Sequence, residues 1–272
     1  MNRKIYSSEL IFFSNKNINI VIVIVLTLFS SNLLLSTLEE KLDTNVYDLL
    51  MQMTAFLPLS YMVIPTFLIV VTAHFSQGEV NNYLFFRFKS KRHWYRTNVI
   101  LIAQMASAFI FTIMAIMLTQ SAFLFSFKNN WSESSLEHYN YFVGFLANYS
   151  PVVYVIVTVI LLWLLLFLLG LIFYLIFLWT KNPILSFLFV FLLNLINVAV
   201  FLGGIESLSR FLFMDHISII EYIHAFGLSQ ENFPYSIFLY WIILIAIVYL
   251  LGLFVVNRVD FSLGKGDKNG AR

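Results

Sequence analysis

The sequence predicts an all-α polytopic membrane protein with six transmembrane helices, organised as one domain over residues 1–272. Three observations carry the prediction. The chain is 60% hydrophobic and 11% charged, whereas a soluble domain needs about a quarter of its residues charged to face water. Six runs free of Asp, Glu, Lys and Arg are long enough to cross a bilayer core of about 30 Å as helices, which satisfy their own backbone hydrogen bonds where water is absent. The basic residues gather in alternate connections between these runs, an asymmetry that orients a membrane protein.

The elements follow in order. Residues 1–17 mix Ile5, Leu10, Ile11 and Phe13 with Arg3, Lys4, Ser7, Ser8 and Glu9, which suits a short interfacial helix on the cytoplasmic leaflet. The first span, 18–38, lacks a small-x-small cleavage pattern at its end and reads as retained rather than as a signal peptide. Spans 55–71 and 99–125 follow, joined by a cytoplasmic segment over 77–98. Spans 152–179 and 183–202 are separated by little more than Thr180-Lys181-Asn182, so they are antiparallel neighbours, and Pro183 sits at a helix start where its missing N–H costs nothing. In the longer connection 203–235, Ile205, Leu208, Phe211, Leu212, Ile217, Ile220 and Ile223 recur near helical spacing, which predicts one or two amphipathic helices at the outer leaflet. The last span is 237–256, followed by a tail over 257–272. Transmembrane β-strands would be about ten residues long with alternating polarity, unlike these runs.

Orientation comes from the 16 Lys and Arg residues. Arg3, Lys4, Lys16, Arg87, Lys89, Lys91, Arg92, Arg96, Lys181, Arg258, Lys265, Lys268 and Arg272 flank one side, while only Lys41, Lys128 and Arg210 lie on the other. Both termini are therefore expected in the cytoplasm. Most acidic residues, among them Glu39, Glu40, Asp43, Asp48, Asp215 and Glu221, fall outside.

Several chemistries are excluded or disfavoured. Without cysteine there is no disulfide, thiolate metal site or Cys nucleophile. A net charge of +2 and the lack of a large basic arm argue against nucleic acid. Gly264-Lys265-Gly266 lacks the first glycine and the final Ser/Thr of a phosphate-binding loop, so ATP hydrolysis is not expected in this chain. Ion-coupled transporters place ionisable residues in the membrane as relays, and these spans hold no Asp, Glu, Lys or Arg. Gln104, Asn194 and Asn197 are polar interruptions that either line a substrate path or pack helices together, the latter favoured for the Asn pair. Glu221-x-x-His224, with Asp215 and His216 nearby, has the spacing of half a metal site but no second copy. The Glu39-Glu40 pair lies outside the membrane, and Thr44 occupies the place where an intramembrane protease of that type has Arg. His74 and His93 flank the second connection as interfacial residues, and the Asn130 and Asn148 sequons read as chance.

The most distinctive stretch runs Tyr83-Leu84-Phe85-Phe86-Arg87-Phe88-Lys89-Ser90-Lys91-Arg92-His93-Trp94-Tyr95-Arg96. Interleaved aromatics and cations suit either an interfacial anchor on lipid phosphates or a short helix docking a cytoplasmic partner, with aromatics as anchors and Arg as hot spots. With this stretch, the order of elements resembles a permease half of the ABC-2 type, and Phe86 to Tyr95 is similar to the R-F-x-S-[KR]-x-x-W coupling region of permeases from bacterial peptide and bacteriocin export or immunity operons. The resemblance implies a bacterial cell-membrane exporter subunit that is not itself an enzyme; the alternative reading is a non-transporting membrane immunity or sensor protein that binds a peptide. Its partners would be ATPase subunits, which bind the ATP and Mg, a second permease half, and membrane lipids. By position, Tyr83, Phe86, Arg87, Phe88, Lys91, Arg92, Trp94, Tyr95 and Arg96 would couple to the ATPase. An apolar, aromatic-rich wall suits an amphipathic peptide, antimicrobial or lipid-like substrate.

Overall fold

The computed structural model describes residues 16–39, 44–52, 55–76, 90–122 and 124–258. Its helices of six residues or more are α1 (Lys16–Glu39), α2 (Val46–Gln52), α3 (Phe56–Phe75), α4 (Lys91–Ser121), α5 (Glu133–His138), α6 (Val143–Asn148), α7 (Pro151–Thr180), α8 (Pro183–Leu202), α9 (Ile219–Phe226) and α10 (Ser236–Arg258). Six of these, α1, α3, α4, α7, α8 and α10, are long and apolar enough to cross a membrane, as the charge-free runs predict. The expected interfacial helix over 1–17, the segment 77–89 and the tail beyond Arg258 lie outside the described residues, apart from the start of α1.

Helix α7 is the centre of the bundle, packed against α10, α8, α4 and α3. Leu161, Leu162, Leu165, Leu166, Leu169 and Phe173 are buried on it, while Ile24, Leu28, Phe111, Leu192, Leu250 and Phe254 of other spans face outward as a lipid surface would require. Lipid tails are as apolar as leucine, so close packing and interhelical hydrogen bonds hold such helices together, not transfer from water. Gly170 serves the first need, since a Cβ there would meet Ile102 Cγ2 of α4 at 2.5 Å. Gln120 and Trp163 serve the second, donating to Ser31 Oγ at 3.0 Å and to Ser107 Oγ at 2.9 Å.

The tight turn between α7 and α8 forms as expected. Lys181 takes a left-handed conformation with φ 53°, and Asn182 caps α8 by accepting from the N–H groups of Ile184 and Leu185. In α3 the chain makes a π turn over Leu59–Val63 ahead of Pro65. Proline offers no N–H to the carbonyl five residues earlier, and that carbonyl, Ser60 O, accepts instead from Asn194 Nδ2 of α8 at 3.0 Å. Asn197 Oδ1 accepts from the N–H of Phe213 at 3.1 Å. Both Asn side chains are buried; Asn194 ties α8 to α3 through Nδ2, and Asn197 ties α8 to the following connection at Phe213. Gln104 is half-buried on α4.

The connections between α1 and α3, α4 and α7, and α8 and α10 all lie at one end and interlock into a cap. Val46 donates to Ser126 O at 3.2 Å, Asn45 Nδ2 to Asn130 O at 2.8 Å, and Gln230 Nε2 to Tyr141 O at 2.9 Å. Within segment 203–235, Phe213, Met214, Ile217, Ile219, Ile220 and Ile223 are buried in the cap, because the neighbouring connections offer these residues an apolar surface that the sequence pattern does not reveal.

Candidate functional site

The first candidate site is the start of α4. Ser90 caps this helix, accepting from His93 N–H at 3.2 Å, so the helix begins at Lys91, two turns before the charge-free run starts at residue 99. Residues 91–98 of the predicted coupling segment are thus continuous with a membrane span. Arg92, His93 and Arg96 are exposed there and Lys91 is half-buried.

Trp94 and Tyr95 are placed differently from the expected docking anchors. Both are buried, at 6% and 2% exposure, inside the chain's own bundle. Tyr95 stacks on Tyr174 of α7 at 5.7 Å and donates to Tyr249 O of α10 at 3.0 Å, and Trp94 packs on Tyr174 at 5.9 Å. Phe75 at the end of α3 stacks on the same Tyr174 at 5.2 Å. Three rings from two spans thereby converge on one α7 ring, each aromatic pair contributing about 0.5–1.5 kcal/mol beyond area burial. Gly252 of α10 makes the arrangement sterically possible, since a Cβ there would overlap the Tyr95 ring. Of the expected coupling residues, Trp94 and Tyr95 are buried in the bundle, while Arg92 and Arg96 are exposed and Lys91 is half-buried. Tyr83, Phe86, Arg87 and Phe88 lie outside the described residues.

The second candidate site is a cavity of about 330 Å³ between the cap and the ends of the spans. Asp48, Gln52, Ser135, His138, Tyr139 and Glu221 supply polar lining, and Met51, Phe56, Leu59, Phe201, Met214 and Ile217 the apolar part. Its architecture begins with helix caps. Asn45 Oδ1 accepts from the N–H groups of Tyr47 and Asp48, while Asp48 Oδ2 accepts from Asn45 N–H at 2.6 Å, a reciprocal capping box at the start of α2. The Asp48 Oδ1 atom accepts from the Ser135 hydroxyl of α5. Ser218 caps α9 and exchanges a 3.0 Å hydrogen bond with Tyr154 of α7.

Burial, reinforced by Tyr154, Glu221 and Asp48, holds the Tyr139 hydroxyl well above the usual phenol range, so it stays protonated as a donor. Desolvation raises the Glu221 carboxyl, with His224 opposing the shift. Among the described residues no group of three or more His, Asp or Glu is placed to hold a metal, and the Glu221, His224, Asp215 and His216 set does not converge on one.

His216 is structural. It is 2% exposed, stacks on Tyr240 at 3.5 Å, and its Nδ1 lies 2.9 Å from Leu212 O. Burial lowers its pKa from 6.5 to about 4, against small opposing effects of the Leu212 carbonyl and Asp215. The unfolded chain therefore binds a proton between pH 6.5 and about 4 that the folded chain does not, so the stabilisation is complete above pH 6.5 and is lost as pH falls. Acidification from pH 7 to 5 is expected to lower the melting temperature, by up to about 1.4 kcal/mol of stability per unit below 6.5. His216→Phe should flatten that part of the profile, which thermal unfolding in detergent at a series of pH values measures.

Sequence reasoning missed the cavity, apart from naming Asp48 and Glu221 as outer acids. The Asn45-x-x-Asp48 spacing is the local signal for it, because a capping box marks a helix start. Compared with known proteins, the chain is 51% identical over 259 residues to an uncharacterized protein of Halalkalibacterium halodurans, covering 95% of this chain and 94% of the relative. No family model matches it, and no solved structure does.

Proposed function

Since the chain belongs to the same protein family as the Halalkalibacterium halodurans protein, we propose that both are the membrane-spanning permease subunit of an ABC exporter of the ABC-2 type. The supporting observation is the unbroken α4. It carries exposed Arg92, His93 and Arg96 at its first turns and, one residue along, wedges Trp94 and Tyr95 against α7 and α10. A push on those cations moves the aromatic junction as a rigid unit, because a helix is stiff along its axis and a close-packed junction rearranges between discrete states. ATP and Mg are bound by a separate ATPase, a second permease half completes the pathway, and the exporter sits in the bacterial cell membrane with both termini inside. The cap then faces outward, and the apolar walls suit an amphipathic peptide, antimicrobial or lipid-like substrate.

Charge reversal tests the docking surface. Arg92→Glu/Arg96→Glu is expected to reduce co-purification of the partner ABC ATPase at least about tenfold, since exposed Arg at an interface hot spot contributes 2 kcal/mol or more. Both side chains are exposed, so membrane insertion and melting temperature should not change. Undiminished recovery of the ATPase would remove these residues from the docking surface.

A further inference from the structure

We propose that the cap cavity binds a primary ammonium group carried on a compact apolar body, such as a lysine side chain or the amino terminus of a cationic amphipathic peptide. The lining chemistry carries the assignment. Two separate connections each bring a carboxylate to one cavity, Asp48 from α2 and Glu221 from α9. Among the described residues lining it there is no Lys or Arg, and the basic groups beside Glu221 are the imidazoles of His138 and His224. Asp48 is held out of water, where an ionised carboxylate is stabilised by a cation, and among the described lining residues no Lys or Arg supplies one.

The geometry suits an ammonium. Asp48 is 6% exposed, and each of its oxygens accepts one hydrogen bond, from Asn45 N–H and from Ser135 Oγ, which leaves a further lone pair on each. Gln52 Oε1, which accepts from Thr37 Oγ1 at 3.0 Å, has a second lone pair for another N–H group. Phe56 and Phe201, their rings stacked at 4.9 Å, supply an apolar wall for the ligand's body. At about 330 Å³ the cavity lies near the lower end of ligand pockets, roughly 300–1,000 Å³, so it takes the end of a long ligand and not a whole peptide. An anion of the same shape meets two carboxylates, and a neutral analogue leaves them without a cation.

The assignment deepens the exporter reading by naming what the cap selects, and rests on that reading only for the ligand being cargo. The test uses the full chain in nanodiscs of zwitterionic phosphatidylcholine, titrated calorimetrically with 2-phenylethylamine, 2-phenylethanol and phenylacetate, which share a shape but differ in charge. The expected result is saturable binding of one amine per chain, at least about tenfold tighter than the alcohol, with no phenylacetate binding. Glu221→Gln, at an exposed position on α9, should weaken the amine about tenfold, and Ala55→Trp, which fills the cavity, should abolish binding, both at unchanged melting temperature. Equal affinity for amine and alcohol, or amine binding unaltered in both variants, would overturn the proposal. With no ATPase in the nanodiscs, failure here leaves the exporter reading standing, and failure of ATPase docking leaves this result standing.

Discussion

Gly252→Leu expels Tyr95 from its seat and lowers the melting temperature of the detergent-solubilised protein by roughly 5–10 °C. The side chain enters space that the Tyr95 ring already fills, so either α10 moves away from α4 or the ring turns out. The second course breaks the Tyr95 bond to Tyr249 O and the stack on Tyr174. Overpacking of this kind costs about 1–3 kcal/mol, and a lost hydrogen bond to a buried carbonyl adds a similar amount, which for a chain of this size gives the stated shift. Tyr95→Phe separates the two contributions: it keeps the ring and loses the hydroxyl, and should cost less than half as much. Gly252→Leu with wild-type melting would show that Tyr95 does not hold α4 to α10.

Asp48→Ala releases the cap. The carboxylate accepts from Asn45 N–H and from the Ser135 hydroxyl, so its removal leaves both of these buried donors without an acceptor, while Asn45 Oδ1 still caps α2. An unsatisfied buried polar group costs about 1–3 kcal/mol. Limited proteolysis should cut the variant within residues 44–52 or 124–150 at least about tenfold faster than the parent, as local opening of 1.4 kcal/mol or more requires. Glu133→Ala, at an exposed position of the same connection, should leave the digestion rate unchanged. Equal rates for Asp48→Ala and the parent would mean that α2 is held by its apolar contacts alone.

The cap also follows a different energy scale from the spans. If it faces water, burial of Ile219, Ile220 and Ile223 contributes the ordinary hydrophobic term of about 25 cal/mol per Å², which is unavailable between helices in lipid. That contrast explains what the sequence reveals and what it does not. Spans are legible because lipid demands long, charge-free, self-bonded helices, and all six charge-free runs reappear as helices, with α4 starting earlier. The turn at Lys181 and the start of α8 are legible because Asn182-Pro183 fixes both locally. Asp48 reads only as one more outer acid, since its burial depends on Ser135, 87 residues away in sequence. Trp94 and Tyr95 read as surface aromatics because they sit among cations. Their inward direction depends on Tyr174, Tyr249 and the empty side of Gly252, and no periodicity within 83–96 encodes those partners.

The central claim is that an ATPase drives this membrane domain through the start of α4, and site-specific cross-linking tests it most directly. The chain contains no cysteine, so in Arg92→Cys every thiol adduct reports that one position. In membranes carrying the chain together with its partner ABC ATPase, a maleimide–benzophenone reagent attached to the thiol at position 92 is expected on irradiation to insert into a C–H bond of the ATPase, with a yield that changes when ATP, Mg and vanadate trap the nucleotide-bound state. Absence of any adduct with the ATPase under every nucleotide condition, with the chain intact in the membrane, would contradict the account.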